Sequence, residues 1–176
     1  MRIITGIYKG RRFDIPRTFS ARPTTDMAKE NIFNVIRGYL ELDGTTALDL
    51  FSGTGSISLE LASRGCQKII SVEGKREHAK FIAQCFEKIG CDKDILICGD
   101  VFRFIKRNRQ TFDFIFADPP YMLPELTTIP DLIFENKMLS ENGIFILEHG
   151  AKQDFSEHPH FIEHRNYGAV NFSIFK

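Results

Sequence analysis

Strand-like stretches alternate with helix-like ones along most of this chain, and that order constrains the fold more than any other feature. Thr46–Leu50, Lys68–Val72, Asp94–Cys98, Phe112–Ala117 and Ile144–Leu147 are short runs rich in aliphatic and aromatic residues. Between them the apolar side chains recur at helical spacing, as Ala79, Ile82, Cys85, Phe86 and Ile89 do before the stop at Gly90. Strands joined through helices run parallel, because tight turns connect only antiparallel neighbours. The pattern predicts an α/β domain built on a mostly parallel sheet with crossover helices.

The remaining elements follow from end signals. Arg22-Pro23-Thr24-Thr25-Asp26 offers caps for a helix reaching about Leu40, with Ile32, Phe33, Ile36 and Leu40 on one face. A helix ending near Gly65 follows the first strand, and a short one carries Phe102 and Ile105. Pro130 can open a helix to Leu139, and Asn142-Gly143 reads as the turn into Ile144–Leu147. The tail reads as two strands, Phe161–Ile162 and Ala169–Phe175, around a turn at Asn166–Gly168. Residues 1–22 form an arm with β-like pieces at Ile3-Ile4 and Ile7-Tyr8 and a turn at Gly10. With 176 residues, the expectation is a single domain over 1–176, the arm at 1–22 and the α/β core at 23–176.

Two motifs carry chemistry. Asp49-Leu50-Phe51-Ser52-Gly53-Thr54-Gly55-Ser56 lies between a strand and a helix, where two glycines let the backbone turn sharply and approach a ligand. A dinucleotide fingerprint needs a third glycine where Ser58 stands, which argues against a pyrophosphate ligand. Glu73 ends the second strand, where a carboxylate can accept both hydroxyls of a ribose, and Asp100 follows the third, where it could accept from an adenine amine. Asp49, Glu73 and Asp100 would form one crest at the carboxyl edge of the sheet. The plainer role for Glu73 and Asp100 is to cap the helices that follow.

The second motif is Asp118-Pro119-Pro120-Tyr121, directly after the strand Phe112–Ala117. An exocyclic base amine is a poor nucleophile because its lone pair is delocalised into the ring. A carboxylate and a backbone carbonyl that accept its two N–H bonds favour a pyramidal nitrogen with the lone pair directed at an electrophile. Prolines present carbonyls without competing N–H groups, and Tyr121 offers a face on which an extruded base can stack. This points to methylation of a nucleic-acid base amine. The plainer alternative is a proline-terminated strand with a structural Asp and a core Tyr.

Lys and Arg balance Asp and Glu, giving a net charge of zero, so composition does not announce a polyanion binder. Charge is segregated, however: Arg2, Lys9, Arg11, Arg12, Arg17 and Arg22 meet only Asp14 within residues 1–22. No apolar run approaches a membrane span and the first residues lack a secretory signal, so the chain reads as soluble and cytoplasmic. Cys66, Cys85, Cys91 and Cys98 show no metal-ligand spacing and read as buried free thiols; no metal site is expected, at His158, His160 and His164 or elsewhere.

Asp49–Ser56, Glu73, Asp100 and Asp118–Tyr121 have the order of a class I S-adenosylmethionine-dependent methyltransferase. Arg2-Ile3-Ile4-x-Gly6, Lys9-Gly10-Arg11-Arg12 and Arg22–Asp26, with Tyr167-Gly168 at the other end, resemble more narrowly the bacterial 16S ribosomal RNA guanine-N2 methyltransferase family, the D-type enzymes of the small subunit. That resemblance spans almost the whole chain. The family often has Lys or Arg where Ile7 and Met27 stand, and this chain is less basic than an RNA enzyme usually is.

The resemblance implies a Rossmann-like, seven-stranded, mostly parallel sheet with an antiparallel C-terminal strand and a short N-terminal β arm. It implies S-adenosylmethionine as cofactor and 16S rRNA, within an assembled or assembling small subunit, as partner. Asp118 with a proline carbonyl would hold the guanine amine. Asp49, Phe51, Gly53 and Gly55 would serve the methionine part, Glu73 the ribose, and Asp100 with Val101 the adenine. Arg22 and Thr24 would lie near the cleft mouth, and the charge of the arm makes Arg11 and Arg12 candidates for gripping RNA. The alternatives are a DNA adenine-N6 methyltransferase, a nicotinamide-dependent Rossmann oxidoreductase and a silent nucleotide-binding module.

Overall fold

A computed structural model describes residues 1–19 and 24–176. The elements are α1 (Asp26–Arg37), β1 (Thr46–Leu50), α2 (Ser56–Ser63), β2 (Lys68–Glu73), α3 (Arg76–Ile89), β3 (Asp94–Cys98), α4 (Val101–Arg107) and β4 (Phe112–Ala117). A 3-10 turn (Pro124–Thr128) leads into α5 (Ile129–Glu135), then β5 (Leu139–His149), β6 (Phe161–Tyr167) and β7 (Val170–Phe175). All seven strands join one sheet in the order β3-β2-β1-β4-β5-β7-β6. The pairs from β3 to β5 are parallel, while β7 runs antiparallel to both β5 and β6.

Both faces of the central strands are covered, which is why β1, β2 and β4 are apolar on both sides. Ile32, Ile36, Leu59, Ile82, Phe114, Phe116, Ile144 and Ile146 share the core on the face of α1, α2 and α3. Leu48, Leu50, Ile70, Ile105, Ile115, Ile133, Phe145 and Leu147 share the core on the face of α4 and α5. Because side chains alternate along a strand, these memberships fix where the strand-end acids point. Glu73, Asp49, Asp118 and Glu148 all project to the α1–α3 face.

Several boundaries differ from expectation. Helix α1 stops at Arg37 rather than Leu40, where the hydrogen bonds tighten: Gly38 N–H goes to the Val35 carbonyl at 3.0 Å and Tyr39 N–H to the Ile36 carbonyl at 2.9 Å. Helix α5 ends at Glu135, and Leu139 already belongs to β5. Asn142-Gly143 is no turn: it sits inside β5 at a register shift opposite Phe112–Phe114. Glycine suits that place because a Cβ at Gly143 would lie 3.0 Å from the Asp113 carbonyl. In the tail, β6 extends to Tyr167, which pairs with Val170 across Gly168-Ala169. All four cysteines are free, but Cys98 is exposed and Cys91 half-buried, contrary to the expectation of buried thiols.

The N-terminal arm departs most from its expected form. It contains one isolated antiparallel bridge, Arg2 to Arg12, instead of strands at Ile3-Ile4 and Ile7-Tyr8. Its polar backbone is satisfied by α2: Ile4 N–H donates to Glu60 Oε1 at 2.5 Å and Ile7 N–H to the Ser63 carbonyl at 2.8 Å. Ser63 Oγ accepts from Tyr8 N–H at 3.0 Å and donates to the Thr5 carbonyl. Gly6 (φ 85°) is required at this seam, since a Cβ there would fall 1.8 Å from the Ser63 carbonyl oxygen. Buried Lys29 of α1 completes it, donating to the Arg2 carbonyl and pairing with buried Glu60 at 3.3 Å.

Candidate active site

A cavity of about 670 Å³ opens at the carboxyl ends of β1, β2, β4 and β5, within the usual size of a small-molecule pocket. Its floor is the turn after β1. Phe51 (φ 60°), Gly53 (φ 56°) and Gly55 (φ 73°) all take left-handed conformations, and for Phe51 this is strained. The strain is held by the surroundings: Ser52 N–H bonds to the Val72 carbonyl at 3.0 Å, and Gly55 N–H to Ser52 at 2.7 Å. Gly53 N–H donates to Glu73 Oε2 at 2.8 Å, while Lys75 N–H donates to Glu73 Oε1 at 2.7 Å. Glu73 thus braces the turn and keeps its unshared lone pairs for a further donor. His78 stands behind it, Nδ1 3.7 Å from Oε1.

Asp49 lies beneath the turn, buried, accepting from Ser58 N–H at 3.1 Å and from Ser58 Oγ. Burial pushes its carboxyl up to about 7, against the Ser58 bonds, and the charges of Asp94 and Glu73 add to the rise. Ser58 continues through Ser71 Oγ, 2.8 Å away, to Asp94, whose buried carboxyl is raised to about 6. The residue standing where a dinucleotide fingerprint needs glycine is therefore committed to a buried polar chain. Ser56 Oγ, in the wall of the cavity, is buried without a hydrogen-bond partner among the described residues.

Asp118-Pro119-Pro120-Tyr121 and Glu148 also line the cavity, Asp118 beside the turn with its N–H 3.4 Å from the Leu50 carbonyl. Strands β4 and β5 pair in register, Ala117 opposite Leu147, so Asp118 and Glu148 leave the sheet side by side. Burial pushes both carboxyls up, and Asp118 is raised further by the charges of Glu148 and Asp49. Tyr121 Oη donates to Glu148 Oε1 at 2.8 Å, and Tyr121, 38% exposed, is part of the cavity lining. The Pro120 carbonyl accepts Leu123 N–H at 2.8 Å, whereas the Pro119 carbonyl takes no backbone hydrogen bond among the described residues.

Of the residues singled out from sequence, Thr24, Asp49, Phe51, Gly53, Glu73 and Asp118–Tyr121 line this one cavity. Gly55 caps α2 just behind it. Asp100 and Val101 do not line it. Asp100 is exposed and caps α4, accepting Arg103 N–H at 2.8 Å, and Val101 is buried in the core. Their helix adjoins the site through Phe102, whose ring stands edge-on to Phe51 at 6.2 Å. Arg11 and Arg12 are exposed on the arm, away from the cavity wall, and Arg22 lies outside the described residues. Sequence reading missed Ser56, His78 and Glu148. Glu148 was findable, being the acid immediately after the expected strand Ile144–Leu147.

The strand order, the antiparallel seventh strand and the glycine turn after β1 define the class I methyltransferase fold. The chain belongs to the family described as Conserved hypothetical protein 95, whose profile matches residues 1–176. It is 35% identical over 161 residues to YlbH of Bacillus subtilis, covering 89% of this chain and 86% of that one; the name of YlbH assigns it provisionally as an rRNA methyltransferase. It is 29% identical over 152 residues to ribosomal RNA small subunit methyltransferase D of Haemophilus influenzae, covering 84% and 78%. Among solved structures, yhhF of Escherichia coli superposes with a TM-score of 0.87 at 22% identity over 99% of this chain and 96% of that one. SMU.776, a methyltransferase by provisional description and solved with S-adenosylhomocysteine (SAH), gives 0.68 at 21% identity over 87% and 50%. No helix among the described residues is long and apolar enough to cross a membrane.

Proposed function

We propose that this chain transfers a methyl group from S-adenosylmethionine to the N2 amine of a guanine in 16S rRNA of the small ribosomal subunit. One observation carries the reading: Asp118–Tyr121 and the turn after β1, separate in sequence, line one cavity at the ends of adjacent strands. The names of YlbH and of the methyltransferase D relatives support RNA as the substrate, and the SAH complex of SMU.776 supports the cofactor. We take residues 1–176 as one catalytic unit working in the cytoplasm, with 1–22 as its arm.

The residues present fit the cofactor. Ser56 Oγ lacks the partner that a polar ligand would supply, and Glu73 is fixed with lone pairs left for a ribose diol. Asp49, Phe51, Gly53 and Gly55 serve the methionine part, and Asp100 with Val101 the adenine, reached beside Phe51 and Phe102. The cofactor supplies an electrophilic methyl group on a sulfonium that is its own leaving group.

The work left to the protein is alignment and dehydration. Asp118 and the Pro119 carbonyl hold the two N–H bonds of the amine, Pro120 being engaged by Leu123. Tyr121, tethered by its hydroxyl, supplies a fixed stacking face. Asp118, with its carboxyl raised by burial and by Glu148, can take up the proton shed by the methylated nitrogen. Lys9, Arg11, Arg12 and Arg17 are exposed for phosphate contacts, whereas Arg2 is occupied by Asp26 at 2.6 Å.

The test is tritiated-methyl transfer to unmodified small subunits, deproteinised rRNA and DNA, followed by nucleoside identification. N2-methylguanosine from the RNA substrates is expected. Labelled adenine in DNA, or failure to bind SAH, would overturn the proposal.

A further inference from the structure

Glu148 has no role in the chemistry described so far beyond tethering Tyr121, yet it is buried and faces the same cavity as Asp118. Neighbouring strands lie about 4.8 Å apart, so two acids leaving β4 and β5 in register form an adjacent pair of acceptors. Neither forms a salt bridge among the described residues. Such a pair repels itself and calls for donors. A base edge carrying two adjacent N–H donors would satisfy both acids, and guanine has one, N1–H beside the N2 amine. Adenine presents a lone pair at N1 beside its amine and would set that lone pair against a carboxylate. The tether adds direction: Tyr121 Oη holds Oε1 of Glu148, so the carboxylate lies at the rim of the ring on which a base would stack.

Building on the proposed methylation of a purine amine, we infer that Glu148 accepts the N1–H of the target base while Asp118 accepts from N2, making Glu148 the residue that selects guanine. The burial that raises both carboxyls is consistent with this, because a paired N1–H and N2–H edge offsets the repulsion between them.

The experiment uses small subunits reconstituted with rRNA carrying either guanine or 2,6-diaminopurine at the methylated position. Both bases keep the 2-amine, but diaminopurine has a bare N1. Wild-type enzyme should prefer guanine by about 10- to 100-fold in kcat/KM, the discrimination of one good base-edge contact. Glu148→Gln keeps an acceptor for Tyr121 and gains an N–H that can donate to a bare N1, so it should narrow or reverse the preference. Glu148→Asp keeps the charge and should retain the preference at a lower rate. Tyr121→Phe should slow both substrates while leaving their ratio unchanged.

Equal loss on both bases in Glu148→Gln would make Glu148 a tether for Tyr121 alone and overturn the inference. So would a wild-type enzyme indifferent to N1, or loss of the preference in Glu148→Asp. If wild-type enzyme fails to methylate N2 of the guanine substrate, the proposed function itself falls, and this inference with it.

Discussion

Replacing Asp49 by Asn should make the protein more stable at pH 8 and alter how its stability varies with pH. Asp49 is fully buried and its carboxyl is raised from 3.8 to about 7, chiefly by desolvation. A group whose folded pKa lies above its unfolded value contributes stability below the unfolded pKa and loses it as pH rises through the folded one. Here the window runs from about pH 4 to about pH 7. A shift of about three units at 1.36 kcal/mol each puts the full effect at about 4 kcal/mol. Asn keeps an oxygen for the Ser58 N–H and Oγ and carries no charge, but it adds an N–H₂ that needs an acceptor. The expected gain for Asp49→Asn at pH 8 is therefore about 2–4 kcal/mol, falling toward zero near pH 4. Urea unfolding of both proteins from pH 4.5 to 8, with m-values matched, gives the difference curve directly. That difference is the clean quantity, since Asp26, Asp113 and Glu163 have lowered pKa values and impose the opposite trend on both proteins alike. Parallel curves would refute the reasoning by showing that Asp49 does not titrate in this window.

Asp118→Ala should leave SAH affinity near normal and lower turnover by about a hundredfold or more, as expected for removing a preorganised polar group; single-turnover methyl transfer reads it, and a normal rate would sink the mechanism. Glu73→Ala should weaken SAH binding by about 1.5–3 kcal/mol by calorimetry, through loss of a charged acceptor that also braces Gly53. An unchanged affinity would remove Glu73 from the cofactor site. Arg11→Ala combined with Arg12→Ala should weaken binding to small subunits, spare SAH affinity and flatten the salt dependence by up to about one unit of slope per lost phosphate contact. Identical salt series for mutant and wild type would place the RNA surface elsewhere.

The parts of the fold that were legible in the sequence are those where local pattern and tertiary demand agree. Strands β1, β2 and β4 of the parallel core are buried on both faces and so read as apolar runs, and α3 shows its amphipathic face and its Gly90 stop. What misled was glycine and proximity. Gly143 looks like a turn residue, but its reason is close approach to the Asp113 carbonyl of the neighbouring strand, which no local signal carries. Asp100 shows the same limit in the site: an acid after a strand can serve a ligand, cap the next helix or do both, and the sequence does not reveal that its Oδ1 is taken by the Arg103 N–H. Glu73 and Asp49 stand in contrast, because the face on which they project is fixed by strand alternation. That alternation, applied to β5, also leads to Glu148. The arm was legible in charge but not in structure, since its hydrogen-bond partners lie some 55 residues away, on α2.

Helix α2 ties the basic arm of this neutral chain to the cavity wall. Ser56, at its first position, stands in the cavity wall, and Ser63, at its last, holds the arm through three hydrogen bonds. Seven steps at 1.5 Å of rise separate these two residues by about 10 Å along the helix axis. Every residue of α2 is buried, because the sheet lies on one side and the arm with α1 on the other. Glu60, wholly buried at mid-helix, is tolerable because Lys29 and Arg64 offset its charge at 3.3 and 3.5 Å and the Ile4 N–H donates to Oε1, and Lys29 in turn binds the arm at Arg2. Removing the arm would take away the Ile4 N–H and the Arg2 carbonyl that hold Glu60 and Lys29 in place. The arm and the cavity wall are therefore held at the two ends of one buried helix, and on the proposed function a polyanion gripped by the arm would present its base to the same cavity.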